Sequence, residues 1–186
     1  MSIQQIVKQV LKEEFEKQEV LEIPSLKIFG KSKGVAWMRL QELLKKRGNP
    51  PYSIGGDLRL YKEPIKSLGN LLSVNGDLDL RGTGIESLGK LKSVEGYLDL
   101  EGTPIESLGN LTSVYGYLDL TQTPIKSLGD LTYVDSYLDL SRTPIESLGN
   151  LRTIGGSLLL LRTPLSEMYS KEEIREMVNV GGDIVF

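Results

Sequence analysis

The sequence contains no cysteine and no histidine. The first absence excludes disulfides and thiolate chemistry. The second removes the commonest metal ligand and the side chain that ordinarily titrates near pH 7. No apolar run approaches the roughly 20 residues that span a bilayer, so no membrane segment is expected. Charge of one sign is also lacking: 22 Lys and Arg stand against 25 Asp and Glu, a net charge of −3. Such a chain lacks the basic excess with which proteins displace counterions from nucleic acid. The first twenty residues carry Glu13, Glu14 and Glu16, not the basic-then-apolar layout of a secretory leader. The expectation is a cytoplasmic chain that binds no metal or cofactor and no nucleic acid.

What the sequence has is a strict period. Units of twenty residues begin at Gly56, Gly76, Gly96, Gly116 and Ser136, and a partial sixth begins at Gly156. Each opens with an alternating stretch such as Leu118-Asp119-Leu120, the pattern of a half-buried strand. Its second half carries Ile125, Leu128, Leu131 and Val134, broken by Pro124 and Gly129 before a helix can lengthen. One unit cannot bury its own apolar face. Stacked units turn each Leu118-type position into a continuous column.

The run Leu118, Leu120, Thr123 and Ile125 resembles the leucine-rich-repeat pattern. The following S-L-G-x-L is similar to the tail of the short, twenty-residue bacterial class, with Gly where that class has Pro. The resemblance covers roughly residues 54–165. It implies an α/β repeat: a leucine-rich-repeat solenoid with a parallel β-sheet on the concave face and short extended convex segments. Thr83, Thr103, Thr123, Thr143 and Thr163 replace the family's Asn, and a hydroxyl donates to one acceptor only. The near-identical copies are also similar to repeat proteins of bacteria and phages. That likeness implies, as one form of function, a phage-encoded inhibitor of a host or antiviral-defence factor.

An open solenoid needs capping at both ends. Residues 1–53 are read as a helical N-terminal cap, 54–165 as the repeats, and 166–186 as a helix-plus-strand C-terminal cap. The N-terminal cap has an amphipathic helix over 2–18, with Ile3, Ile6, Val7, Val10, Leu11 and Phe15 on one stripe. A second helix follows over about 34–47, and Leu26-Lys27-Ile28 is a degenerate strand between them. Trp37 is expected to anchor this cap to the first repeat. At the other end Ser170 and Glu173 form a capping box. They open a short helix with Ile174, Met177 and Val178 on one face. Ile184 and Phe186 then continue the leucine columns.

With the leucines inward, alternate residues face out. Three columns result: Asp57, Asp77, Tyr97, Tyr117, Tyr137, Ser157; Arg59, Asp79, Asp99, Asp119, Asp139, Leu159; and Tyr61, Arg81, Glu101, Thr121, Ser141, Leu161. Carboxylates about 5 Å apart repel by roughly 1–3 kcal/mol, so the aspartate row is poised for cations. The tyrosines supply flat amphipathic area, and Leu159 with Leu161 adds an apolar spot. The candidate partner-binding residues are Asp79, Asp99, Asp119, Asp139, Tyr97, Tyr117, Tyr137, Glu101, Leu159 and Leu161. The expected partner is a basic protein or peptide. The competing account is that duplication copied the aspartates with no role. A cation site is disfavoured because a flat ladder diverges. The serines Ser67, Ser87, Ser107, Ser127 and Ser147 are read as tying down turn backbone. Nothing points to catalysis: repeats give each carboxylate the same environment, whereas acid–base pairs need unequal ones. The alternative function is a structural, self-associating protein that meets its copies through Leu159–Leu161 or the Phe186 strand.

Overall fold

The computed structural model describes residue 5 and residues 20–186, and the amphipathic helix expected over 2–18 otherwise lies outside the described residues. From Leu21 onward the chain is a stack of parallel strands, a β-solenoid whose central turns each take one twenty-residue unit. Each turn buries the same six side chains. In one turn Leu98, Leu100, Ile105, Leu108, Leu111 and Val114 are all 0% exposed. Each such side chain contributes roughly 1.5–3 kcal/mol on burial, and the columns they form are a single core.

Every turn gives two strands, not one. Leu58–Arg59, Leu78–Asp79, Leu98–Asp99, Leu118–Asp119, Leu138–Asp139, Leu158–Leu159 and Ile184–Val185 make a seven-stranded parallel sheet. The second half-turns, from Leu21–Ile23 through Ser113–Val114 to Asn179–Val180, make an eight-stranded one. Like residues pair with like: Leu98 with Leu118 and Asp99 with Asp119, Ser93 with Ser113 and Val94 with Val114. The expected extended segments are therefore a second hydrogen-bonded sheet. Identical turns stacked in register place each half-turn's amides opposite the carbonyls of the neighbouring turn, as in Glu95 N–H to the Val74 carbonyl at 2.9 Å.

Two repeat signatures acquire a physical reason. Gly69, Gly89, Gly109, Gly129 and Gly149 all have φ between 58° and 64°. Proline, locked near −65°, cannot adopt that conformation, so Gly stands at this position. Each threonine of the Thr83 series donates its hydroxyl to the carbonyl three residues back, Thr83 to Leu80 at 2.7 Å and Thr123 to Leu120 at 2.7 Å. The same carbonyl also accepts the threonine's own N–H. One donation is enough there. The serines act as turn ties, accepting the N–H of the glycine two residues on, as Ser107 does from Gly109 at 3.1 Å.

Helix α1 runs Lys33–Lys46 and buries Ala36, Trp37, Leu40 and Leu44. Trp37 is 7% exposed. The first strand is Leu21–Ile23, five residues before the expected one. Leu26–Phe29 is a 3-10 helix because Ser25, following Pro24, accepts the Lys27 N–H and starts a turn. At the C-terminal end α2, Pro164–Met168, was not foreseen; Pro164 sits at its first position and Thr163 caps it. Helix α3, Lys171–Met177, has the capping box of Ser170 and Glu173. That pairing holds the Glu173 carboxyl below its ordinary range through the Ser170 N–H and hydroxyl. Met177 is 48% exposed, because the helix ends there and Val178 turns extended to fill the core instead. Ile184 continues its column against Leu158. Phe186, just past the edge strand Ile184–Val185, is 40% exposed, and the Lys171 ammonium lies 5.4 Å above its ring.

Candidate functional site

The outward side of the seven-stranded sheet carries the residues singled out from the sequence. Tyr97, Tyr117 and Tyr137 form one stack, with ring centroids 4.7 Å apart at both steps and planes within 6°. That spacing is the strand spacing itself, so the sheet register sets the stack. Burial, then neighbouring carboxylates, push all three phenols above their ordinary range; for Tyr117 Asp99 is the leading carboxylate. The rings show half-buried edges to solvent and their faces to each other.

The aspartate row departs from the expectation. Asp79 and Asp99 are 3% and 5% exposed. They do not stand out into solvent. Each aspartate curls over the turn that follows it and accepts the N–H two residues on. The distances are 3.2 Å from Arg81 to Asp79, 3.2 Å from Glu101 to Asp99, 2.8 Å from Thr121 to Asp119 and 2.8 Å from Ser141 to Asp139. The aspartates thus have a structural use that neither the binding account nor simple inheritance foresaw. The sequence signal for it is D-x-x, an aspartate two residues before a tight turn.

The row is divided by its cations. The Arg81 guanidinium grips Asp79 with Nε at 3.0 Å and Nη2 at 2.8 Å, and its Nε also lies 3.2 Å from Asp99. Hydrogen bonding to Asp79 raises the arginine's pKa still further. Arg59 spans Asp57 at 2.9 Å and Asp77 at 3.1 Å in the same way. Lys33 of α1 lies 2.9 Å from the centre of the Tyr61 ring and donates to that residue's carbonyl. Burial, with Asp119 and Asp79 close by, pushes the Asp99 carboxyl up to about 6, against the pull of the Glu101 N–H and Arg81.

From Tyr117 onward the three columns contain no cation. Asp119 and Asp139 are half-buried and have no ion pair among the described residues. Beside them Leu159 is half-buried and Leu161 is 40% exposed. Glu101 is exposed, with its backbone tied to Asp99. Of the candidates, then, the structure joins the tyrosines, Asp119, Asp139, Leu159 and Leu161 in one open surface. It assigns Asp79 and Asp99 to internal pairing. A separate hollow of about 570 Å³ lies between α1 and the turn at Glu63–Ser67, floored by Trp37 and Ile65 and lined by no residue of the three columns. No described helix is long and apolar enough to cross a membrane. No protein-family model, no curated protein and no solved structure matches the chain.

Proposed function

We propose that this chain is a non-catalytic binding scaffold of the leucine-rich-repeat kind, and that it takes a basic protein or peptide on the outward face of its seven-stranded sheet. The observation that carries the reading is the unneutralised half of that face. Two half-buried carboxylates, Asp119 and Asp139, lie beside stacked tyrosines and an apolar pair, with no ion pair among the described residues. Partly dehydrated carboxylates of this kind gain from a partner's positive charge. The aromatic edges supply contact area at little cost in side-chain entropy. The backbone ties on the aspartates fix the carboxylates in place before any partner arrives. A catalytic role has no support, because each aspartate already serves a turn in the same way.

The test is calorimetric titration with a nine-residue mixed Lys/Arg peptide at two salt concentrations. Asp119→Asn/Asp139→Asn is the comparison variant. Asn keeps the oxygen that accepts the turn N–H, so the fold is retained. Binding should weaken about tenfold or more in the variant, and should fall with salt in the wild type. Equal binding by both proteins, or salt-independent binding, contradicts the reading.

A second reading is self-association. Val185, on the last strand of the seven-stranded sheet, is 38% exposed and Phe186 just after it 40%, at an edge that a second copy can extend. Light scattering across a range of concentrations separates the two: a constant monomer mass eliminates this one.

A further inference from the structure

The solenoid contains its own example of what its open half accepts. Arg81 is one residue of the third column, and its guanidinium bridges the carboxylate of its own turn to that of the next. Forty residues on, the same place is Thr121. Around it the strand frame and the aspartate turns repeat. Asp119 and Asp139 are in the parallel register of Asp79 and Asp99. Each has its Oδ1 fixed by the N–H two residues later. Where Arg81 extends, Thr121 and Ser141 are short. Ser141 is 7% exposed, and its buried Oγ has no hydrogen-bond partner among the described residues.

We infer that Asp119 and Asp139, over Thr121 and Ser141, are a socket for one guanidinium group, an arginine side chain of the partner. This rests on the reading of the face as a binding surface and names the group it takes. Three features favour guanidinium over ammonium. The internal occupant of the equivalent place is an arginine that uses both Nε and Nη2. A planar guanidinium can take one carboxylate with Nε and Nη2 and share Nε with the next, as Arg81 does, where an ammonium offers only a point charge. The bridged pair also lies one column from the tyrosine stack, and Arg81 itself is within electrostatic reach of Tyr97.

Two experiments test this. Thr121→Arg rebuilds the Arg81 arrangement inside the chain. It should raise the melting temperature by a few degrees, and the gain should vanish in the Asp119→Asn/Asp139→Asn background. A Thr121→Arg variant that melts at or below the wild-type temperature contradicts the socket. Second, a three-arginine peptide and a three-lysine peptide are titrated into the wild type and into Asp119→Asn/Asp139→Asn. The arginine peptide should bind about fivefold tighter than the lysine peptide to the wild type, a preference of one added charge-assisted hydrogen bond, and equally in the variant. Equal affinities for the two peptides, both lost in the variant, overturn the socket and leave the acidic face standing. Affinities that the variant does not change overturn both.

Discussion

The two halves of one sheet face carry the same aspartates in different states. Toward the N-terminal end, Arg59, Arg81 and Lys33 neutralise or cover their neighbours, and Asp79 and Asp99 are sealed. Toward the C-terminal end the strands, register and turn bonds are unchanged, yet among the described residues no cation pairs with Asp119 or Asp139. The backbone is the same in both halves, so the difference lies in a few outward side chains. A ladder that looks uniform in sequence is therefore two surfaces, one finished and one open.

The core should not know this difference. Leu78→Ala and Leu138→Ala empty equivalent, fully buried sites. Each should cost about 2–5 kcal/mol in chemical denaturation, and the two should agree within about 1 kcal/mol. Unequal losses mean that the halves differ in packing as well as in charge. The outward residues should differ. Arg81→Ala leaves two buried carboxylates without their cation. It should cost about 1–3 kcal/mol at pH 7, below the usual figure for a broken buried pair because the guanidinium is half exposed. Thr121→Ala, at the equivalent place, should lie within about 0.5 kcal/mol of wild type. Similar effects at both places erase the comparison.

Asp99 gives the contrast a pH signature. Its carboxyl is raised from the ordinary 3.8 to about 6, so the folded protein holds that proton more tightly than the unfolded chain does. The stabilisation is complete below the unfolded value and is lost as pH rises through the folded one. Between pH 4 and 7 the wild type should lose about 1–2 kcal/mol that Asp99→Asn does not, read from melts of both proteins across that window. Parallel profiles contradict the burial of Asp99. The same sealing makes Asp99→Lys destabilising, because lysine discards the Glu101 tie and sets a second cation beside Arg81. The smallest effect is at the turn. Gln122, Arg142 and Arg162 have φ near 60° at the place where Gly82 and Gly102 stand in their turns. Gln122→Gly should stabilise by up to about 1 kcal/mol, offset in part by unfolded-chain entropy.

The solenoid was legible because it is written five times over: a twenty-residue period of leucines admits few other ways to bury them. The capping box was legible because Ser170 and Glu173 act on their own backbone. What escaped depended on neighbouring turns. The second sheet arises only when Ser113–Val114 meets its copies above and below. Alternation placed Asp79 and Asp99 on the correct side of the strand but could not show that a side chain curls back to a turn. Nor could it show that Arg81 reaches one turn further. In the caps, where no repeat constrains the reading, the first strand was misplaced onto Leu26-Lys27-Ile28.

The most direct test maps backbone amide shifts by NMR as a three-arginine peptide is titrated into the wild-type protein. The Thr121 and Ser141 amides, bonded to the open carboxylates, should move most, while those of Arg81 and Glu101 stay still. Shifts centred on Arg81 and Glu101, or on helix α1, would show that the face is not divided as described.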